Sequence, residues 1–430
     1  MLQKIKLPKS IYIHYPFCKK KCHYCDFPIH AVGKNPDNLA LLPSYSESYI
    51  KNLLSEMKLT FEYIKPAEVI DTIYIGGGTP SLMQPSEFQQ ILNTIKEYTK
   101  ISDKAEISME FDSGTFDKNK LHHFADLGVN RISVGVQTFD DNTLQNIGRS
   151  HSLDQVYEAI DAIGSIEKFK TFDNVSLDLI LGLPNQSEKT WKHSLKEAMR
   201  IRSGHLSVYF LTLEENAVFT RKNKYKDGHF PLPSDEALER RYFEMHAELG
   251  ENGYEHYEIS SFARNSLRSK HNSMYWKGDE PFFGFGMGAT SLLQGERVSR
   301  PRSLQKYKEF VETLPKFIPN FTENALQQLL SDYQDEKVGS LEWLRSIITG
   351  RMRTSEGLDL SHGNLSPEFK SKVFDFITAY EDMDIIEVDR EHERVKFKIP
   401  KGFILSNEFL SRFFLFLDEH ASEETSSDVI

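Results

Sequence analysis

Cysteine is nearly absent from this chain. Only three occur in 430 residues, and all three lie within the stretch Cys18-Lys-Lys-Lys-Cys22-His-Tyr-Cys25. An odd number of thiols packed into one stretch excludes a disulfide framework. Long apolar runs are missing too: none approaches the ~20 residues a membrane helix needs. Excess basic charge is missing as well, and the net charge of −11 argues against a nucleic-acid binder. Only about ten residues precede the first strand-like run, without the apolar core of a secretory signal and too few for an ordinary transit peptide. A cytoplasmic protein is therefore expected, in a compartment where disulfides rarely persist.

What is present is three thiols at the spacing C-x3-C-x2-C. That spacing suits ligands converging on one inorganic centre. A closed structural zinc site needs a fourth ligand, which His14 or His23 could supply. A cubane iron–sulfur cluster normally takes four thiolates, so with three one iron stays open to a group that is not protein.

The rest of the chain alternates. Strand-like runs at 11–15, 71–75, 106–110, 131–136, 175–181 and 205–213 are separated by stretches with apolar residues at helical spacing, such as Tyr49, Ile50, Leu53, Leu54 and Met57. Ser86-x-x-Gln89 and Ser152-x-x-Gln155 read as capping boxes, and Gly128 as a helix terminator. Six such units imply an α/β fold with a parallel sheet: a partial, open-sided (β/α)6 barrel, with a doubly wound sheet as the alternative. Residues 214–234 read as a long loop, and 254–300 are rich in aromatics and glycine without clear periodicity. From about 320 the pattern changes. Leu326, Leu329 and Leu330, then 341–348 and 369–380, read as helices, and 385–388 with 395–399 as a two-stranded wing. The expected organisation is a barrel over 1–235, an extension over 236–315, a small winged-helix-like domain over 316–417 and a disordered acidic tail over 418–430.

In parallel β/α folds ligands bind at the carboxyl ends of the strands. There this sequence gathers polar groups: the cysteines after the first strand, Gly76-Gly77-Gly78-Thr79-Pro80 after the second, Glu110 and Gln137 at the third and fourth, and Asp178 within the fifth. Each has a plainer reading. The glycine run can be a tight turn, Glu110 a solvated strand end, Arg149 a surface residue and His271 a structural histidine. No Lys-Ser/Thr pair follows the glycines, so they are not a phosphate loop of the Walker kind. It is the convergence that favours a site.

With these residues in place the chain resembles the radical S-adenosylmethionine (SAM) superfamily. The cysteine spacing, the aromatic Tyr24 before Cys25 and the Gly-Gly-Gly-Thr-Pro run carry the likeness. Within it the coproporphyrinogen-oxidase-like branch matches best, through Tyr12-Ile-His-Tyr-Pro-Phe-Cys18, Gly148-Arg149-Ser-His151, Asp178-Leu-Ile-Leu-Gly-Leu-Pro184, Tyr257-Glu-Ile-Ser-Ser-Phe262 and His271-Asn-Ser-Met-Tyr275-Trp276. The last segment, in the extension, matches the H-N-x-x-Y-W motif that this group associates with heme. The resemblance implies a [4Fe–4S] cluster on Cys18, Cys22 and Cys25 whose open iron is chelated by SAM. It implies cofactor contacts by Tyr12, Tyr24, Gly77, Gly78, Thr79, Glu110, Gln137, Arg149 and Asp178, and heme at His271.

Two departures stand out. Porphyrinogen oxidases of this branch carry a further cysteine two positions after the third, where this chain has Phe27. After Glu110 the chain reads Phe-Asp-Ser-Gly-Thr where many relatives have Ala-Asn-Pro-Gly-Thr, a loop change that leaves Glu110 intact. Phe27 argues against decarboxylase activity. The resemblance thus implies a heme chaperone that delivers heme to respiratory or related heme proteins, leaving peripheral membrane contact and a cluster-linked homodimer open. The competing readings are an oxygen-independent coproporphyrinogen III oxidase and a zinc-binding interaction protein.

Overall fold

The computed structural model describes residues 6–33, 39–222, 230–293, 296–317, 334–337, 341–361 and 366–420. The chain forms two compact units, Met1–Arg241 with Pro281–Asp335 and Tyr242–Glu280 with Glu336–Ile430.

In the first unit six strands alternate with helices: β1 (Ser10–Tyr15), β2 (Val69–Gly77), β3 (Lys100–Phe111), β4 (Arg131–Gln137), β5 (Val175–Leu181) and β6 (His205–Phe210). Each pairs in parallel with the next, in sequence order. A doubly wound sheet reverses its strand order at a switch point. Here the order never reverses, so the chain winds in one direction as a barrel does. The barrel stays open, because the outer edge of β1 pairs with β7 (Phe282–Phe285) rather than with β6.

β7 is a strand that the sequence pattern does not reveal. Phe282, Phe283, Gly284 and Phe285 are all buried, so the run lacks the apolar–polar alternation of a half-exposed strand. Two antiparallel strands, Thr290–Leu293 and Glu296–Ser299, extend the sheet beyond it.

Along β1 to β6 the side chains facing the helices are wholly buried: Ile11, Ile13, Ile73, Ile75, Met109, Ile132, Val134, Leu177, Leu179 and Val208. The opposite face is half-buried and polar, with Tyr12, Tyr74, Glu110, Ser133, Asp178, Ser207 and Tyr209. A strand has a two-residue period, so this division needs no more than alternate placement of the two residue types.

Local chemistry sets the helix starts. The capping box expected at Ser86-x-x-Gln89 falls two residues earlier. Pro85 opens the helix Pro85–Tyr98, and the Gln84 amide donates to Glu87 Oε2 at 2.7 Å. Proline has no N–H of its own to cap and suits the first helical position. Gln89 instead donates to Asn93 at 2.9 Å on the exposed face. Ser152 and Gln155 do form the expected box.

A buried ion pair ties the segment after β7 to the helix Leu42–Tyr63. Glu56 accepts from Arg300 Nε at 2.7 Å, from Tyr307 Oη at 2.6 Å and from the Gly286 amide at 2.9 Å. Three donors on one buried carboxylate leave little of its charge uncompensated.

The second unit holds a hairpin (Tyr254–Glu258 with Ser261–Arg264), the helix Lys270–Lys277 and a carboxyl-terminal bundle. The expected wing is Ile386–Asp389 paired antiparallel with Arg394–Phe397, with Leu358–Asp359 as a third strand. It packs with Ile348, Met352, Val373, Ile377, Phe409 and Phe413 from the helices. Leu326, Leu329 and Leu330, residues 223–229 of the expected loop and the tail beyond His420 lie outside the described residues, whereas Asp418 to His420, the start of the expected tail, end the helix Ser406–His420. No helix among those described is long and apolar enough to cross a membrane.

Removing Glu56 while keeping Arg300 strands a buried cation. Glu56→Ala should destabilise the first unit by about 3–5 kcal/mol, read as a lower urea midpoint by circular dichroism. An unchanged midpoint would show that Glu56 contributes no net stability.

Candidate functional site

The cysteine loop leaves β1 and is held by its backbone. Phe17–Cys18 pairs in parallel with His30–Ala31, which closes the loop at its base. At its far side the His23 amide donates to Ile147 O at 2.9 Å, and the Phe219 amide donates to His23 O at 2.8 Å. Cys18 is buried, whereas Cys22 and Cys25 are partly exposed. Thr79 Oγ1 donates to Cys18 Sγ at 3.4 Å, and Arg149 Nη1 lies 3.7 Å from Cys22 Sγ. Burial pushes the Cys18 thiol well up, and it pushes Cys25 up to about 11. Such thiols become ligands when a metal takes the place of their protons. Among the described residues no three His, Cys, Asp or Glu side chains close around a single ion. A cubane asks something different, one thiolate per iron corner.

The glycine run follows β2 and lies against β1. Tyr15 and Gly77 are register partners, and the Gly78 amide donates to Tyr15 O at 2.8 Å. A Cβ at Gly77, whose φ is +117°, would meet the His14 ring at 2.6 Å, and one at Gly78 would meet Pro16 at 2.7 Å. These glycines are therefore required by the close approach of the chain to itself.

The polar face of the sheet completes the site. Glu110 accepts from Tyr74 Oη at 2.9 Å and from the Gly77 amide at 3.1 Å. Asp178 accepts from Ser133 Oγ at 2.9 Å and from Ser176 Oγ at 3.3 Å. Burial raises both carboxyls, Asp178 to about 7. Tyr12 Oη bonds His14 Nδ1 at 3.0 Å, while His14 Nε2 bonds Pro28 O at 2.9 Å. Since that carbonyl only accepts, Nε2 carries the proton and Tyr12 is the donor. Gln137, at φ +68°, accepts from Tyr209 Oη at 3.0 Å.

Arg149 crosses between these parts. Its Nη1 reaches Tyr24 Oη at 3.3 Å as well as Cys22, while Nη2 donates to Gly135 O at 2.7 Å and pairs with Asp112. His151 Nδ1 lies 3.0 Å from the same Asp112 oxygen. Burial disfavours the Asp112 charge, but Arg149 and His151 outweigh it and hold the carboxyl below its usual range. Arg149 Nε and His151 Nε2 are buried without a partner.

SAM brings an ammonium, a carboxylate and two ribose hydroxyls, and the donor set fits them. Glu110 and Asp178 keep lone-pair capacity for hydroxyl and ammonium donors, and Arg149 Nε is a charged donor for a carboxylate. All the sequence-predicted residues from Tyr12 to Asp178 are in the first unit, on its strands or in the segments that follow them, whereas His271 belongs to the second unit. It sits in the first turn of the helix Lys270–Lys277, fully buried, with Nε2 at 2.9 Å from Tyr275 Oη. Phe27, two residues beyond Cys25, is 66% exposed.

Sequence reasoning missed Asp112, His151, Tyr74, Ser133 and Tyr209. Strand alternation carried a signal for two of them, since Tyr74 and Ser133 are polar residues set among aliphatic neighbours in strands that end at the glycine run and at Gln137. Nothing local marks Asp112, because its partners lie 37 and 39 residues away.

The radical SAM superfamily is matched over residues 12–198. The heme chaperone HemW of Synechocystis sp. is 32% identical over 429 residues, covering 96% of this chain and 98% of that protein. The chain belongs to the HemW family of radical SAM proteins. The heme chaperone HemW of Escherichia coli is 35% identical over 288 residues, 66% of this chain and 70% of its own. Among solved structures, coproporphyrinogen III oxidase (HemN) from Escherichia coli, a radical SAM enzyme, superposes with a TM-score of 0.75 at 19% identity, covering 96% of this chain and 91% of that one. That likeness is one of fold and agrees with the open barrel described above.

The Asp178 carboxyl gives a signed pH dependence. Its folded pKa is about 7, against an unfolded value of about 3.9. The folded protein therefore holds a proton that the unfolded chain has released, and this stabilisation is complete below the unfolded value and declines as pH rises toward 7. Asp178→Asn should stabilise the cofactor-free protein at pH 8 by about 1–3 kcal/mol and have little effect at pH 4. Chemical denaturation at the two pH values checks this.

Proposed function

We propose that this chain is a heme chaperone that holds a SAM-liganded [4Fe–4S] cluster and passes heme to acceptor heme proteins. The observation that carries the reading is family membership along almost the full length of a HemW relative. In this reading Cys18, Cys22 and Cys25 hold the cluster. Tyr12, Tyr24, Gly77, Gly78, Thr79, Glu110, Gln137, Arg149 and Asp178 form the SAM site. Glu110 and Asp178 accept from the hydroxyl and ammonium donors, and Arg149 Nε meets the carboxylate. The cluster, when bound, supplies one-electron reduction of SAM and an open iron that chelates it. Three free thiols agree with a reducing, cytoplasmic setting. The acceptors are heme proteins, respiratory ones among them.

His271 is the proposed heme ligand. Burial lowers its pKa to about 3, so the imidazole is neutral and needs no deprotonation to ligate iron. Its Nε2 is engaged by Tyr275 Oη, so heme must displace that hydroxyl to reach the nitrogen.

Anaerobic reconstitution followed by heme titration, with and without SAM, tests the proposal. Wild-type protein should take up heme stoichiometrically by absorbance, His271→Ala should lose that uptake, and Tyr275→Phe should bind at least as tightly as wild type. Unchanged uptake by His271→Ala would remove the ligand assignment. The exposed Phe27 disfavours the oxidase reading, and conversion of coproporphyrinogen III to protoporphyrinogen IX by the same preparation would reinstate it. Cys18→Ser, Cys22→Ser or Cys25→Ser should each abolish stable iron and sulfide loading. Stoichiometric zinc in place of iron would favour the interaction-protein reading.

A further inference from the structure

Asp112 stands in the segment Phe-Asp-Ser-Gly-Thr, to which the sequence assigns no role, yet the fold builds a rigid seat for it. Its amide donates to Ser81 Oγ at 3.1 Å, and its carbonyl accepts from Thr115 Oγ1 at 2.6 Å and from the Thr115 amide at 3.1 Å. Its carboxylate meets Arg149 and His151, with Ser150 Oγ at 3.5 Å. The side chains of Arg149, Asp112 and His151 are 10%, 18% and 0% exposed, so solvent screens their charges little.

The far end of Arg149 faces the cysteine loop. The same guanidinium that pairs with Asp112 through Nη2 directs Nη1 at Cys22 Sγ and Tyr24 Oη. We propose that Asp112 is a positioning residue for the metal loop: it aims Arg149 at Cys22 and offsets its positive charge, and so sets the reduction potential of the cluster below the value an unopposed Arg149 would give.

The argument is electrostatic. Adding an electron makes a thiolate-bound cluster more negative. An N–H donor or a cation beside a ligand sulfur favours the reduced form and raises the potential, and an anion lowers it. The Arg149 guanidinium keeps its proton, and the Asp112 carboxylate in direct contact with it forms a buried ion pair. His151 is held toward its neutral form by burial. The net charge of the group is therefore near zero. Asp112→Asn keeps the size and an acceptor oxygen but leaves the group one charge more positive. Arg149→Gln removes both the cation and the N–H directed at Cys22. The two substitutions should therefore move the potential in opposite directions, a signature that loss of packing would not produce.

This inference rests on the cluster reading of Cys18, Cys22 and Cys25, which iron and sulfide analysis of the wild-type chain tests separately. The experiment is an anaerobic, EPR-monitored redox titration of the reconstituted full chain, without SAM or heme, so that neither ligand contributes. D112N should shift the midpoint upward, R149Q downward, and Asp112→Glu, which keeps the charge, should stay closer to wild type than D112N. An unchanged or lowered midpoint in D112N, or shifts of the same sign in D112N and R149Q, would overturn the proposal. If D112N does not hold the cluster, R149Q decides it: an unchanged or raised midpoint there overturns it as well.

Discussion

The site depends on one guanidinium. Arg149 reaches Cys22 and Tyr24 in the cysteine loop, the carbonyl of Gly135 in β4 and the carboxylate of Asp112 just after β3. These groups come from three separate stretches of chain, and no other described side chain bridges them in this way. Only arginine presents enough N–H donors in a fixed planar fork to do so; a lysine would offer a single point charge on a flexible stem. Burying that cation would be costly without Asp112, and burying Asp112 would be costly without the cation. The loop, the strand ends and the turn after β3 are in this sense one electrostatic unit.

The barrel makes this convergence possible. Parallel pairing in sequence order turns every strand the same way, so all carboxyl ends open on one side. The aliphatic face of each strand is spent on the helices, which leaves the opposite face free to be polar. Tyr74 then donates to Glu110 and Ser133 to Asp178 from the neighbouring strand, and Ser176 adds a donor from Asp178's own strand. The open edge of β1 is covered by β7, and the buried Glu56–Arg300 pair locks the chain that follows β7 onto the helix Leu42–Tyr63.

Much of this is legible without coordinates because it is local. The six strands announce themselves through aliphatic runs ended by glycine or polar residues, and Ser152 with Gln155 marks a helix start that forms as written. Other features are illegible for equally physical reasons. β7 is buried on all sides and carries no alternation. Pro85 moves the capping box away from Ser86, because proline can open a helix yet cannot offer an amide. The glycine run reads in the sequence either as a tight turn or as a place of close ligand approach, and only the fold shows that His14 and Pro16 occupy the room a Cβ would need at Gly77 and Gly78.

The sequence by itself determined the cysteine loop, the order of β/α units, the positions of Glu110 and Gln137 at strand ends and that of Asp178 within its strand, because spacing and periodicity are properties of neighbours along the chain. Tertiary structure alone decided what those residues do to one another. That Arg149 serves a carboxylate as well as the cysteine loop, that Asp112 matters at all, and that His271 is buried with its Nε2 already engaged by Tyr275 are consequences of packing. Charges and hydrogen bonds act over a few ångströms in space, whatever the distance along the sequence.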